Sequence, residues 1–361
     1  MKKELYKKIV IKIGTSVLTS EAGLLNHEVI AKIVAQIVHL KKKGSTVVLI
    51  TSGAVGAGKT IIDASKITDK VIRRQILASV GQIPLMNIYI NFFQPHACTC
   101  AQVLATKEDF RDRTHYLNMK NCFDALLHEN IIPIINENDV ISIDELMFSD
   151  NDELAGLVAS MINADALIIL TNVDGLLNGD PSNKNSRVIP SVNFATMDIE
   201  KFIMPTVSSS GRGGMRTKCD VAKKMSSLGI TTHIINGAKA NTLFDLFEGK
   251  KIGTVFIPQK TLSGVKRWVA QSEGNEKGTI YVNECASKLL RSQEQAKSLL
   301  PIGIMRIEGE FKRGDILKIK GPLEENIGRG MAEYSAETAK KCVGKNRVRP
   351  IIKYEYLYIE P

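Results

Sequence analysis

Apolar and polar positions along this chain fall into blocks whose period switches between that of a strand and that of a helix. Residues 9–13, Ile-Val-Ile-Lys-Ile, are an apolar run broken only by Lys12, which predicts a buried strand ending at Gly14-Thr15-Ser16. Val29, Ile30, Ile33, Val34, Ile37 and Val38 then recur at helical spacing. Lys41 to Lys43 and Gly44 give that helix a basic last turn and a glycine stop. Thr46 to Ile50 is an apolar, β-branched strand that runs into a glycine-rich turn, Thr51 to Thr60. Further on, the pattern predicts a strand over 97–104, a helix over 115–128 and a strand from Ile131 to Ile135, which Pro133 places at a sheet edge. Asp150 and Asn151 cap a helix over 152–163. Ala166 to Thr171 is a strand, 215–228 a helix and Thr231 to Asn236 a strand. This alternation predicts an α/β fold, a mainly parallel sheet covered on both faces.

Past residue 258 the pattern changes. Pro258, Gly264, Gly274 and Gly278 punctuate a polar stretch that reads as a linker over 259–277. Thr279 to Val282, Gly303 to Ile307, Ile316 to Ile319 and 349–359 then read as short strands between glycine turns, a small β-rich domain over 278–361. The length of 361 residues fits such a division into two domains.

Composition adds exclusions. The chain is 44% hydrophobic and 24% charged, ordinary for a globular protein and unlike a disordered one. The basic start followed by apolar residues mimics a signal peptide, but Lys12 breaks the run and no small-residue cleavage site follows. No stretch approaches the length of a membrane span, so no membrane partner is expected. Six cysteines form no C-x-x-C pair, and Cys98 and Cys100 sit too close along one strand to bridge, which points to reduced thiols and a cytoplasmic location. The histidines show no metal-ligand spacing, and His27, His39 and His128 fall on predicted helices. The net charge of +10 is spread along the chain rather than gathered in a stripe, which suits small anionic substrates better than nucleic acid.

Gly53 to Thr60 matches the phosphate-binding pattern G-x-x-x-x-G-K-S/T and follows a strand, which makes Lys59 a candidate. A P-loop enzyme also needs an apolar strand ending directly in a metal-binding Asp. Here the strand ends Thr171-Asn172-Val173-Asp174, three residues late. Four other polar clusters have no role in that reading: Lys12-Ile-Gly14-Thr15-Ser16, Asn136-Glu137-Asn138-Asp139, Ser149-Asp150-Asn151-Asp152 and the run from Ser210 to Lys218. Each sits at a strand end or a helix start, where open α/β sheets bind ligands and backbone N–H groups meet phosphates. Lys12 on an apolar strand is costly to bury without a partner, and Lys218 near a helix start opposes the macrodipole; both point to function.

The ordered set K-I-G-T-S (12–16), T-S-G-A-V-G-A-G (51–58), I-N-E-N-D (135–139), S-D-N-D (149–152), T-N-V-D-G-L (171–176) and G-G-M-R-T-K (213–218) resembles the amino-acid kinase family, in its glutamate-phosphorylating branch. Residues 278–361 resemble a PUA domain. The resemblance implies a three-layer amino-acid-kinase fold followed by a PUA-like domain, and transfer of the γ-phosphoryl group of ATP, with Mg²⁺ on its phosphates, to the side chain of L-glutamate. It implies Lys12 and Lys218 as the lysines on the transferring charge, with Asp152 as their counter-ion. Ser52, Gly53, Asn136, Asp139 and Asn151 would bind glutamate, Asp139 facing its ammonium. Lys12, Thr171, Asn172 and the stretch Arg212, Gly213, Gly214, Met215, Arg216, Thr217 and Lys218 would contact ATP, and Lys59 becomes a surface lysine. The family commonly has Asp where Asn172 stands and small neutral residues where Arg212 and Arg216 stand. Further implied are a homo-oligomer, feedback inhibition by proline and association with glutamate-5-semialdehyde dehydrogenase; RNA binding by the PUA-like domain is not favoured by its charge. The alternatives at this level are an acceptor such as aspartate, N-acetylglutamate or carbamate, a P-loop NTPase using Lys59, and an RNA-binding protein with a relict kinase domain.

Overall fold

The structure, a computed structural model, describes residues 6–20, 23–141, 150–180, 183, 185–203, 214–259, 263–292 and 297–360. The chain divides into two units, residues 1–261 and 262–361.

In the first unit the apolar runs become β1 (Lys8–Ile13), β2 (Thr46–Ile50), β3 (Cys100–Ala105), β4 (Ile132–Glu137), β5 (Ala166–Thr171), β6 (Ser191–Val192), β7 (Thr231–Asn236) and β8 (Thr254–Phe256). They form one sheet in the order β3-β4-β2-β1-β5-β7-β8-β6. Every neighbouring pair is parallel except β7 with β8. The helices are α1 (Thr15–Leu18), α2 (His27–Lys42), α3 (Ala54–Lys59), α4 (Lys70–Phe93), α5 (Lys107–Arg111), α6 (Arg113–His128), α7 (Asn151–Met161), α8 (Met215–Ser227) and α9 (Thr242–Phe247).

Strand alternation divides the faces. Ile9, Ile11 and Ile13 pack into a core with Ile33 and Ile37 of α2, Ala57 of α3, Tyr89 of α4 and Leu243 of α9. Lys12 points the other way, toward Asp152 of α7. The chain runs from β1 to β2, out to β3 at the edge and back to β4 between them, then crosses to β5 on the other side of β1. The sheet therefore has its topological switch point at β1 and β5, where open α/β sheets leave a crevice.

Three expectations need correction in this unit. The strand holding Pro133 is not at the edge but between β3 and β2. The N–H of Ile132 donates to the Thr99 carbonyl, so the proline nitrogen turns toward β2, and pairing with β2 begins only at Leu49 opposite Ile134. The missing donor thus falls outside the ladder. The turn from Thr51 to Thr60 contains the helix α3, entered through Gly53 at φ +103. Gly58 and Gly81 let α3 and α4 meet backbone to backbone: a Cβ on Gly81 would lie 1.8 Å from the Ala54 carbonyl oxygen. Finally, α4 with its 3-10 extension, Lys70–His96, is long and apolar enough to cross a membrane by length and composition, contrary to the expectation that no stretch is. Leu77, Ala78, Gly81, Leu85, Met86, Tyr89 and Phe93 are buried along it, making it a core helix of this unit. Its apolar residues beyond Ile76 leave little polar face, so no helical period stands out in the sequence.

The second unit holds β9 (Gly278–Val282), β10 (Ile304–Gly309), β11 (Ile316–Lys320), β12 (Asn326–Met331) and β13 (Leu357–Ile359), in the order β10-β9-β11-β12-β13, with α10 (Gly264–Gln271), α11 (Glu284–Arg291) and α12 (Ala336–Cys342). The strand expected over 349–359 shrinks to β13, preceded by a 3-10 turn at Tyr354–Tyr356. The stretch read as a linker holds α10, whose Trp268, Val269 and Ala270 are buried in this unit. Arg329 of β12, itself 3% exposed, draws the segment in: its guanidinium pairs with Glu276 at 2.8 Å, Glu360 at 2.9 Å and Glu273 at 3.2 Å.

Candidate active site

The buried groups at the C-terminal ends of β1, β2, β4 and β5 are polar, and two helix starts face them. Asp150 is the N-cap of α7; its carboxylate accepts the backbone N–H groups of Asp152 and Glu153. This cap places Asp152 in the first turn, fully buried. Lys12 of β1 lies 2.6 Å from one Asp152 oxygen, and Lys218 of α8 donates to the other at 2.9 Å. Burial alone would raise the Asp152 carboxyl, but the two ammonium groups outweigh it and hold it well below the usual carboxylate range. Two buried ammoniums thus converge on one carboxylate, a setting for an incoming anion. Thr217 donates its hydroxyl to Asp150 at 2.8 Å and so fastens the start of α8 to the start of α7. Burial and the neighbouring Asp152 raise the Asp150 carboxyl, with Lys12 and the Thr217 hydroxyl acting against them.

A second cluster adjoins the first through the sequence neighbours Asn151 and Asp152. The Asn151 amide donates to the Thr51 carbonyl at 2.7 Å, to the Ser52 hydroxyl at 2.9 Å and to the Asn136 side-chain oxygen at 3.0 Å. Asn136 in turn donates to Gln82 of α4 at 3.0 Å. Ser52, Asn136 and Asn151 thus converge from β2, β4 and α7. Gly53 turns the chain just beyond Ser52. Asp139 lies at the far side of this group, buried, and pairs with Arg74 of α4.

The residues expected at the nucleotide are more dispersed. Thr171 ends β5, buried, and Asn172 follows it; the Thr171 hydroxyl donates to the Asn172 side chain at 3.5 Å. The amide of Asn236 donates to the Asn172 carbonyl and to Asp174. Gly214 caps α8 and Met215 begins it. Arg216 is exposed and paired with Glu200 at 2.9 Å. Arg212 and Gly213 lie outside the described residues. Among the described residues there is no group of three or more His, Cys, Asp or Glu side chains that could hold a metal.

Lys59 ends α3 and is exposed. The glycines of its motif have other uses: Gly53 supplies the left-handed turn, and a Cβ on Gly58 would lie 2.0 Å from the Leu77 carbonyl oxygen. The sequence reading missed Arg74 and Gln82, because α4 itself is not legible there. The one available signal is that the polar residues of α4 gather toward its N-terminal half.

The model of the amino acid kinase family matches residues 7–236, and that of the PUA domain matches residues 278–353. A protein named glutamate 5-kinase from Chlorobaculum tepidum is 48% identical, over 99% of this chain and 98% of its own length. One of the same name from Bacteroides thetaiotaomicron is 46% identical over 100% of both. Among solved structures, UMP kinase from Bacillus anthracis aligns over 71% of this chain and 98% of its own, with a TM-score of 0.50 and 15% identity. An isopentenyl phosphate kinase product complex from T. acidophilum aligns over 69% and 100%, with a TM-score of 0.50 and 19% identity. These two show the fold alone. The chain belongs to the amino acid kinase family, as a relative of the glutamate 5-kinases that covers 98–100% of the two named here, with a PUA domain at residues 278–353.

Proposed function

We propose that this chain transfers the γ-phosphoryl group of ATP to the side-chain carboxylate of L-glutamate, giving L-glutamyl 5-phosphate and ADP, the first step of proline biosynthesis. The observation that carries the reading is the buried Lys12–Asp152–Lys218 arrangement at the switch point of the sheet, in a chain whose relatives of that name match end to end.

The acceptor carboxylate is ionised at neutral pH and needs no general base. Its oxygen forms a bond to the γ-phosphorus while the bond to ADP breaks, so the difficulty is bringing two anions together. Lys12 and Lys218 hold the charge on the transferring group, and Asp152 keeps both ammoniums in place. Ser52, Gly53, Asn136, Asp139 and Asn151 take the glutamate. Thr171, Asn172 and the run Arg212 to Lys218 take the nucleotide. With both Asp152 oxygens engaged by lysines, Mg²⁺ would be carried by the ATP phosphates and would neutralise part of their charge. In the same reading the enzyme is a cytoplasmic homo-oligomer inhibited by proline, and it passes its labile acyl phosphate to the following dehydrogenase.

A hydroxamate assay across glutamate, aspartate and N-acetylglutamate tests this. Glutamate is the expected acceptor, with Lys12→Ala lowering kcat about 10²- to 10³-fold and Lys59→Ala close to wild type. Activity lost with Lys59→Ala but kept with Lys12→Ala overturns the assignment.

A further inference from the structure

Arg74 stands apart from the groups used so far. It reaches from α4 to the loop after β4, where its Nε donates to Asp139 at 2.7 Å and its Nη2 to Glu137 at 3.3 Å. Glu137 and Asp139 are 4% and 8% exposed, whereas the Arg74 side chain is 31% exposed. Its Nη1 takes no hydrogen bond among the described residues. Two turns along the same face of α4, Gln82 holds Asn136, which holds Asn151. Arg74 therefore borders the acceptor cluster on the side away from Lys12 and Lys218.

We propose that Arg74 is a substrate-binding residue that reads the α-carboxylate of the acceptor amino acid, beside Asp139 on its α-ammonium. This rests on the reading of glutamate as acceptor. An amino-acid head group carries one positive and one negative charge on adjacent atoms, and Asp139 with Arg74 presents the complementary pair. Nε and Nη2 are taken up by Asp139 and Glu137, and Nη1 is the nitrogen of this partly exposed guanidinium that is left to donate to a carboxylate. A purely structural Arg74, present only to offset Glu137 and Asp139, would make no distinction between acceptors with and without the α-carboxylate.

The test compares kcat/KM for glutamate, for 4-aminobutanoate (glutamate without its α-carboxylate) and for glutarate (glutamate without its α-ammonium), in wild type, Arg74→Met and Arg74→Lys. The expected result is that Arg74→Met reduces the preference for glutamate over 4-aminobutanoate about 10- to 100-fold, through KM rather than kcat. Arg74→Lys restores part of it, and the preference for glutamate over glutarate changes far less. An unchanged glutamate to 4-aminobutanoate ratio in Arg74→Met, with equal losses on all three acceptors, overturns the proposal and leaves the glutamate reading standing. Wild-type protein without turnover on glutamate removes that reading, and this assignment with it.

Discussion

Replacing Asp152 by Asn tests the centre of the site. The side chain keeps its shape and loses its charge, so Lys12 and Lys218 face each other across a neutral amide in a fully buried position. Removing one partner of a buried ion pair costs about 3–5 kcal/mol, because the charge left behind has neither water nor counter-ion. At about 2–4 °C per kcal/mol for a domain of this size, the melting temperature falls by roughly 6–20 °C. Excess ATP should recover part of that loss, since a ligand binding only the folded state supplies negative charge where the carboxylate was. The pH dependence has a defined sign. The folded-state pKa of Asp152 is lowered, so its contribution is complete above the unfolded value of about 4 and is lost as pH falls below it. The gap between wild type and Asp152→Asn should therefore be constant near neutrality and narrow in acid. Calorimetric unfolding from pH 7 downward, with and without ATP, measures all three effects; kcat should drop by at least about 10²-fold. A variant with wild-type melting temperature and turnover would refute the claim that this carboxylate holds both lysines.

Other outcomes follow from particular contacts. Gly81→Ala places a methyl against the α3 backbone and should lower the urea midpoint by the equivalent of about 1–3 kcal/mol. His233 is buried beside the Tyr6 hydroxyl, and burial pushes its pKa down to about 4. It is neutral when folded, so it contributes stability above about pH 6.5 and loses about 3 kcal/mol of it by pH 4; His233→Leu should flatten that slope in pH-dependent denaturation. Arg329→Met leaves Glu276 unpaired in the second unit and should cost about 3 kcal/mol there, read from the fluorescence of Trp268, the chain's single tryptophan. An unchanged fluorescence transition would show that the ion-pair network contributes nothing.

The sequence by itself determined a good deal. The apolar runs of β2 and β5 are near-continuous, and that of β1 is broken only by Lys12, because these strands are buried on both faces, and such runs are legible without a structure. Lys12 stands out for the same reason, as a charge where burial forbids one without a partner. Asp150 could be read as a cap from its position before a helix. Other features are tertiary. β12, Asn-Ile-Gly-Arg-Gly-Met, is not picked out by the apolar pattern, yet it is a strand in which a Cβ on Gly328 would lie 2.1 Å from the Tyr358 carbonyl oxygen and Arg329 gathers three glutamates. α4 hides because its buried stripe is not matched by a polar face, and with it Arg74 and Gln82 are hidden too. Pattern also favoured Lys59, whose motif glycines serve a turn and a helix contact. The local sequence sets which groups are charged and which must be buried. Only the packing of α7 on β1 and of α8 on α7 decides that Lys12, Asp152 and Lys218, distant in sequence, share one ion-paired site, because the energy of a buried charge depends on what lies within a few ångströms of it.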